Sequence, residues 1–279
     1  MKKHILAVGA HADDIEMSMA GSILKYMDLG YTVTYVMTTN NMAGAYAYID
    51  KDGKVASYLP QPEEEIKIRK REAQAAAEKF FNTTPIHLDF PQKHYTGPDD
   101  KPVYVNYGSA SLDFIPAGTP SIIAAHEIPE AVKRLTDIIL DCDPEVIITR
   151  GLDDYNVEHY STCLYTIKAR AMAMQKGYDG TILFCNLNTY LPKYYCRFDT
   201  FIDTTGYMEK KIAATGCHTS QKPRPELLDW QDWNHGAQCG CETAEVFGIE
   251  FGTWKTGIMT AELLKNHLYC RENYSRIFF

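Results

Sequence analysis

A strand–helix–strand unit at the start of the chain limits the folds that this sequence can adopt. Residues 4–9 (HILAVG) form a short apolar run that predicts a buried strand. Residues 16–29 carry apolar side chains at helical spacing and stop at Gly30, a common helix C-cap. Residues 32–39 (TVTYVMTT) are rich in β-branched side chains and predict a second strand. Such units connect parallel strands through a right-handed crossover, so the pattern predicts an α/β protein.

The same alternation continues along the chain. Further helices are predicted at residues 63–81, 123–141, 160–176 and 206–217, and another near 257–267. Further strands are predicted at residues 86–90, 145–150, 181–186 and 195–204. We therefore predict a Rossmann-like α/β fold, with a mostly parallel sheet and helices on both faces. In such folds, ligands bind beyond the carboxyl ends of the strands.

Domain organisation follows from length and from the two irregular stretches. A chain of 279 residues fits one large α/β domain, and we predict a single domain over residues 1–279. Residues 43–60 and 92–121 are rich in tyrosine and lack clear periodicity. Connections this long are usually functional, so we predict that both stretches are insertions or lids over a site.

Charge and hydropathy exclude several kinds of partner. The net charge is −8 and the chain has no long basic run, so we expect neither nucleic acid nor an anionic membrane surface as a partner. No stretch approaches the roughly 20 apolar residues of a membrane span, and the apolar start is too short for a signal peptide. We expect a cytoplasmic protein that begins at Met1. The sequence leaves open whether the protein forms a homo-oligomer.

The cysteines give little indication of function. The chain has eight, and in a cytosolic protein most are reduced and buried. Cys239 and Cys241 form the one closely spaced pair, but the spacing and the second pair of a zinc finger are missing. The sequence leaves the role of this pair open.

Polar side chains cluster where the predicted strands end. Since parallel strands share one edge of the sheet at their carboxyl ends, we expect these side chains to converge. The set comprises His11, Asp13, Asp14, Glu16, Thr38, Thr39, Asn40, Arg150, Asp153, Asp154, Asn156, Glu158 and His159.

Within this set, one imidazole and two carboxylates follow the first strand, and a second imidazole lies in a facing loop. Such nitrogen and oxygen donors suit a divalent metal, and catalytic zinc sites combine three protein ligands with an open position for water. One aspartate would then bind the metal while its neighbour acts as general base. The alternative is that Asp13 or Asp14 simply caps the following helix, since aspartate is a favoured N-cap. Capping does not explain His11, and His159 alone is equally consistent with an exposed helix start.

Several segments, in order, resemble the LmbE/PIG-L family of deacetylases. The string GAHADDIEMSMAG is similar to the family's A-H-P-D-D-E signature and the small-residue helix after it. Arg69-x-x-Glu72 followed by IHLDFP resembles the family's R-x-x-E helix and the next strand. The later matches are PEVIITRGLDDYNVEHYST, KKIAATGCHTSQ and AEVFGIE, so the resemblance extends from residue 4 to about residue 250.

The resemblance implies a zinc-dependent N-deacetylase that removes the acetyl group from an amino sugar or related acetamide and releases acetate. It implies that His11, Asp14 and His159 hold one Zn²⁺ per chain, with another divalent metal as an alternative. Asp13 would be the general base, and Arg69 would contact a small acetamido-sugar substrate.

Two positions depart from the family pattern. Ala12 stands where the family has proline, which fixes φ and stiffens the turn. Asn156 stands where the family's H-x-D-H loop begins with the histidine that stabilises the oxyanion. An asparagine amide can also donate to an oxyanion, so we predict this catalytic role for Asn156, with a simple turn residue as the alternative. His218 and Arg69 are further candidates for supporting the oxyanion, although a histidine at a helix end can merely interact with the helix dipole.

Two other functions compete with deacetylation. A catalytically weak or silent carbohydrate-binding protein on the same fold would explain the asparagine at position 156. A nucleotide site after the first strand is excluded, because GAHADD lacks the G-x-G-x-x-G pattern and its two acidic residues would repel a pyrophosphate.

Overall fold

The computed structural model describes most of the first 249 residues. The described ranges are 3–44, 48–49, 55–56, 61–97, 99, 101–105, 112–152, 154, 156–185, 200–221 and 225–249. The predicted helix near 257–267 lies outside them, as do residue 186 and residues 195–199 of two predicted strands.

Strands and helices alternate as the sequence predicts. In chain order the strands are β1 (His4–Gly9), β2 (Thr32–Thr39), β3 (Tyr48–Ile49), β4 (Val55–Ala56), β5 (Ile86–Phe90), β6 (His94–Thr96), β7 (Pro102–Tyr104), β8 (Val146–Arg150), β9 (Thr181–Cys185), β10 (Thr200–Asp203) and β11 (Ala244–Ile249). The helices are α1 (Asp14–Asp28), α2 (Pro62–Phe81), α3 (Ile122–Ala125), α4 (Pro129–Cys142), α5 (Val157–Met174), α6 (Met208–Thr215) and α7 (Pro225–Cys239), with a 3₁₀ turn at Thr219–Gln221.

Seven of these strands form one mixed sheet in the order β10-β11-β9-β8-β1-β2-β5. The five strands from β9 to β5 run parallel to their neighbours, while β11 is antiparallel to both β9 and β10. β1 and β8 are adjacent and parallel, so the loops after them meet at one edge. This adjacency positions the candidate site.

The alternation of side chains along β1 builds a core on each face of the sheet. Ile5 and Ala7 pack on the face covered by α1 and α2, whereas Leu6 and Val8 pack on the face covered by α3, α4 and α5. Each of the larger buried side chains contributes roughly 1.5–3 kcal/mol to folding. Helices on both faces of a mostly parallel sheet confirm the predicted Rossmann-like α/β class.

Some predicted elements are wrong. The helix expected at 123–141 is two helices, because Pro129 lacks an N–H and begins α4 in its first turn. Helix α7 was not predicted, since Trp230 and Trp233 lie exposed on it and blur any apolar stripe. Among the described helices, none is long and apolar enough to cross a bilayer.

Candidate metal centre

His11, Asp14 and His159 converge at the carboxyl edge of the sheet. Each offers one ligand atom, and these atoms lie within 4.8 Å of one another. His11 Nδ1 is 3.0 Å from His159 Nε2, and the latter atom is 3.2 Å from Asp14 Oδ1. In the part of the chain that the structure describes, this is the one such group of three. The two loops predicted to meet therefore bring these donors together.

The turn after β1 is compact because Gly9 has no side chain. A Cβ there would lie 2.5 Å from Met37 Cε and 3.2 Å from Asp14 Cβ. The backbone can therefore approach the first turn of α1 closely. Asp14 Oδ2 accepts hydrogen bonds from the N–H groups of Ala10 (2.9 Å) and His11 (2.8 Å). These bonds occupy Oδ2 and direct Oδ1 toward His159.

Carboxylates behind the two imidazoles set their tautomers. His11 Nε2 donates to Glu158 Oε2 at 2.6 Å, which leaves the Nδ1 lone pair facing the centre. His159 Nδ1 lies 2.9 Å from Asp154 Oδ2 and 3.1 Å from Arg150 Nη2. We assign the hydrogen bond to the nearer carboxylate, which leaves Nε2 facing the centre. A metal-binding histidine usually donates its second N–H to a carboxylate in this way.

Ionisation of the surrounding acids fits this arrangement. Burial raises the pKa of Asp14, but His159, His11 and Arg150 together outweigh burial and hold this pKa well below its usual range. Burial opposes ionisation of Asp154 and Glu158 too, yet their histidine partners bring both pKa values to about 2. In the metal-free protein burial lowers the pKa of His159, but the carboxylates of Asp14 and Asp154 together outweigh burial and raise this pKa to about 9. A metal must displace that proton to bind.

The donor set suits a divalent metal such as zinc. With Zn–N and Zn–O bonds of about 2.0–2.2 Å, ligand atoms on one tetrahedral ion lie roughly 3.3–3.5 Å apart. The separations of 3.0 and 3.2 Å require only small shifts to match. Once the metal displaces the proton of His159, each imidazole offers one lone pair, and the Asp14 carboxylate is ionised. The fit rests on these residues alone.

Asp13 lies beside the three donors but does not belong to their group. Its backbone has φ of 120°, a conformation rarely adopted by non-glycine residues, and strain of this kind clusters at functional sites. It occupies the N-cap position of α1, yet its side chain makes no capping hydrogen bond. Burial raises the pKa of Asp13, and the cation of Arg69, 3.7 Å away, only partly opposes this. The capping interpretation is therefore wrong for Asp13.

Arg69 reaches the turn after β1 from α2. Its side chain is 2 % exposed, and Nη2 donates to the backbone oxygen of Ala12. Nε has no hydrogen-bond partner. Nη1 lies close to Gly44, whose φ of 111° suits glycine and where a Cβ would stand 3.1 Å from that atom. Arg69 is therefore a buried residue of the site region, and its predicted contact with a substrate stays a prediction.

Asn156 is the N-cap residue of α5, and its side-chain oxygen is turned toward the start of that helix and not toward the three donors. Its Oδ1 accepts from the N–H groups of Glu158 (2.8 Å) and His159 (3.4 Å), which is an N-cap arrangement. The carbonyl oxygen thus has a structural role, which orients the histidine next to it. Only the amide nitrogen is left for the predicted oxyanion contact, which stays a prediction.

His218 lies behind Asp13 and is fully buried. Its Nε2 is 3.1 Å from Glu16 Oε2, although the N–H direction does not make a well-aligned hydrogen bond. Burial lowers the pKa of His218, but the Glu16 carboxylate outweighs it and raises the pKa overall. Glu16 also accepts from Tyr35 Oη at 3.0 Å. His218 is a buried residue of the site region and not an exposed helix-end histidine.

The remaining polar residues of the predicted set make hydrogen bonds that support the elements around the three donors. Thr38 bonds Thr162 at 2.7 Å and Thr39 bonds the oxygen of Ala10 at 2.6 Å, so both brace the strands. Asn40 accepts from the N–H of Met42 at 3.3 Å. Asp153 lies outside the described residues.

Glu158 and Gln92 have a role that the sequence did not indicate. Gln92 Nε2 donates to Glu158 Oε2 at 3.0 Å, and the Lys93 N–H donates to Oε1 at 2.6 Å. Glu158 is thereby held against His11. Its position directly before the ligand His159 was the available signal, but sequence spacing does not show which ring a carboxylate supports.

Cys239 and Cys241 lie apart from the three donors, at the end of α7 and just after it. Their Sγ atoms are 3.3 Å apart and both are free thiols. Burial raises the pKa of each thiol. Their raised pKa values do not favour a reactive thiolate.

Comparison with known proteins gives a family and several relatives. The model of the family described as PIG-L, GlcNAc-PI de-N-acetylase, matches residues 6–170. A 4-oxalmesaconate hydratase of Pseudomonas putida is 25 % identical over 231 residues, which cover 79 % of this chain and 75 % of the relative. A diacetylchitobiose deacetylase of Thermococcus kodakarensis is 21 % identical over 266 residues, which cover 89 % of this chain and 83 % of the relative.

The fold also matches solved structures. The crystal structure of 4-carboxy-2-hydroxymuconate hydratase from Pseudomonas putida superimposes with a TM-score of 0.65 at 21 % identity. The match covers 90 % of this chain and 97 % of that one. At this identity the likeness concerns the fold.

Proposed function

Because the chain belongs to the PIG-L family, we propose that it is a metal-dependent N-deacetylase that acts on an acetamido sugar or a related acetamide. One observation carries the proposal. Three metal donors, His11, Asp14 and His159, converge beside Asp13, a strained and partly buried carboxylate that is not one of them. Amide hydrolysis by a metal site requires this division between ligands and base.

The proposed chemistry adds water to the acetamide carbonyl and then breaks its C–N bond. A zinc ion held by His11 Nδ1, His159 Nε2 and Asp14 Oδ1 would supply the Lewis acidity that polarises carbonyl and water. Asp13 accepts the proton of the attacking water, since burial raises the pKa of this carboxyl. The same carboxyl returns the proton to the departing nitrogen, so a free amine and acetate leave.

Charge on the carbonyl oxygen has three candidate partners. Asn156 can donate through its amide nitrogen, because its carbonyl oxygen is engaged as the N-cap of α5. Arg69 brings a buried guanidinium whose Nε is unpaired. The raised pKa of His218 favours its cationic form. Preorganised donors of this kind are each worth a few kcal/mol in the transition state.

The two irregular stretches are our proposed lid, on a single domain. The Ala43 N–H, in the first stretch, donates to Gln92 Oε1 at 2.8 Å. Gln92, in the second stretch, also donates to Glu158, the carboxylate behind His11. These contacts join the starts of both stretches to the metal centre. We propose that the protein acts on a small molecule in the cytoplasm.

Hydration of a carbon–carbon double bond is the second candidate, favoured by the relative described as a 4-oxalmesaconate hydratase. A substrate with several carboxylates needs free cations in the site. In the described part of the centre, Arg150 is paired with Asp154 and Arg69 lies against Asp13. Asp14, Glu16 and Glu158 add negative charge nearby. This balance favours a substrate without multiple negative charges, and hence deacetylation.

An acetate-release screen tests the proposal. Zinc-loaded protein is incubated with N-acetylglucosamine, diacetylchitobiose and N-acetylglucosaminides, and acetate and amine are both measured. We expect release by the wild type and by Asp137→Asn, a control at an exposed ion pair on α4. We expect Asp13→Asn to keep its zinc and lose about 10²–10⁴-fold in rate.

The other outcomes identify the competing functions. Hydration of 4-oxalmesaconate by the wild type without any acetate release would replace the deacetylase proposal. Binding of these sugars with neither reaction would support a silent carbohydrate-binding protein.

A further inference from the structure

The two polar residues of the R-x-x-E segment act on different parts of the site. Arg69 and Glu72 are three residues apart in α2, so both project from one face of the helix. Arg69 contacts the turn after β1 through the oxygen of Ala12. Glu72 contacts the 3₁₀ turn Thr219–Gln221. Helix α2 therefore fixes the position of one turn relative to the other.

Glu72 holds this 3₁₀ turn through three hydrogen bonds. Its Oε1 accepts from Thr219 Oγ1 at 2.9 Å and from the Ser220 N–H at 2.8 Å. Its Oε2 accepts from Ser220 Oγ at 2.6 Å. The carboxylate is 8 % exposed and Ser220 is fully buried. Such short bonds to a buried carboxylate are charge-assisted and hold the turn firmly.

The residue just before this turn is His218. Its imidazole is fully buried, and Nε2 lies 3.1 Å from Glu16 Oε2 in poor hydrogen-bond alignment, so the contact with Glu16 depends on where the backbone places the ring. The Gln221 N–H donates to the His218 oxygen at 3.0 Å, so the backbone of His218 belongs to the clamped turn. The ring position depends on that backbone.

We propose that Glu72 is a positioning residue that sets the His218 imidazole against Glu16 and beside Asp13. The inference rests on the proposed function, in which His218 supports charge during amide hydrolysis. Glu72 itself touches no reacting group. This role explains why Arg69 and Glu72 are three residues apart, since both side chains must project from one face of α2 to reach two turns of the site.

A kinetic comparison of three variants with the wild type tests the role. We expect Glu72→Ala to lower kcat about 10- to 100-fold with little change in KM, the usual loss when a supporting partner is removed. We expect Glu72→Gln to recover most of that rate, because an amide can still accept the Ser220 N–H and pair with its hydroxyl. The matched control is Glu78→Ala, an exposed carboxylate on the same helix, which should leave kcat unchanged.

A double-mutant cycle separates positioning from general stabilisation. If Glu72 acts through His218, the double variant Glu72→Ala, His218→Ala should be no slower than His218→Ala alone. Losses that multiply would overturn the proposal, as would Glu72→Gln behaving like Glu72→Ala. Thermal melts and zinc content of each variant identify any that fail to fold, and Ser220→Ala, which removes one of the three bonds, then replaces it.

Chemical modification tests the proposal without enzyme activity. In zinc-loaded wild type, the buried His218 should resist diethyl pyrocarbonate, as measured by peptide mass spectrometry. In Glu72→Ala the turn is released, so we expect His218 to be modified about tenfold faster, because local opening of the turn costs less free energy. An unchanged rate would contradict the clamp. If the wild type releases no acetate but this rate rises, the proposed function fails while the positioning by Glu72 stands.

Discussion

The protein buries charged side chains in two clusters, which differ in how the buried negative charge is balanced. At one, Lys211 Nζ lies 2.7 Å from both Asp232 Oδ2 and Glu245 Oε1. At the other, His159 Nε2 lies 3.0 Å from His11 Nδ1 and 3.2 Å from Asp14 Oδ1. The first cluster, which we call the lysine cluster, contains its own cation. The second presents lone pairs toward a common point.

The difference separates a cluster whose charges are paired within the chain from one whose donors suit an external cation. Glu245 also accepts the N–H groups of Gly21 (2.9 Å) and Ser22 (2.8 Å) in α1, so the lysine cluster joins α1, α6, α7 and β11. Its charges are satisfied within the chain. In the candidate metal centre, carboxylates accept from the outer nitrogen of each imidazole and direct the inner nitrogen toward the common point. Such an arrangement is organised around an external cation.

The largest expected effect distinguishes the two clusters by metal binding. We expect His159→Ala to weaken zinc binding by at least about 10⁴-fold, because one of three protein ligands is lost. Competition with a chromophoric chelator measures the affinity. The control is His126→Ala, a half-buried imidazole on another part of the chain, which should bind zinc like the wild type. Equal zinc affinity of both variants would remove the distinction.

The next prediction concerns the lysine cluster. Lys211→Met leaves two buried carboxylates without their cation, and we expect the free energy of unfolding to fall by about 3–5 kcal/mol. Urea denaturation of the metal-free protein measures it. Lys210→Met, at the adjacent exposed position, should change stability little. Zinc affinity of the folded Lys211→Met protein should stay at the wild-type value, and a large loss there would mean that the clusters are coupled.

A smaller effect is expected at the outer partner of His11. We expect Glu158→Gln to weaken zinc binding about 10- to 100-fold, since a carboxylate makes the imidazole a stronger donor than an amide does. The control is Glu130→Gln, an exposed carboxylate near the start of α4. Calorimetric titration of both variants measures the difference, and an unchanged affinity for Glu158→Gln would reduce Glu158 to a packing role.

The last prediction concerns the pH dependence of stability at the lysine cluster. Burial raises the pKa of Asp232 to about 7, from 3.8 in the unfolded chain. Because the folded pKa is higher, the stabilising contribution is full below about pH 4 and is lost as the pH rises toward 7. We expect Asp232→Asn to flatten this part of the curve of unfolding free energy against pH. A wild-type slope that persists in the variant would assign it to other groups.

Much of the sheet was predictable, because β1, β2 and β8 are short apolar runs with clear ends. The strand β11 was not recognised, since its segment AEVFGI was interpreted only as a family motif. Its place between β9 and β10 depends on long-range antiparallel pairing, which local pattern does not encode. The start of α5 at Val157 instead of 160 reflects the N-cap bond of Asn156, a local contact that apolar spacing alone does not show.

The convergence of the three donors follows from residue types and strand order, whereas the side-chain orientations around them do not. His11, Asp14 and His159 follow strands that are neighbours in the sheet, so their convergence could be expected. The strained backbone of Asp13 and the pairing of Glu158 with His11 depend on side-chain directions within the turn. Those directions are fixed by contacts with residues far along the chain, such as Arg69 and Gln92.

The most direct test of the metal centre is a crystal structure of zinc-loaded protein with anomalous scattering at the zinc edge. We predict one strong peak per chain, in contact with His11 Nδ1, His159 Nε2 and Asp14 Oδ1, with Asp13 outside the ligand set. Zinc bound elsewhere, bound through Asp13, or absent from these three residues would contradict the division between ligands and base.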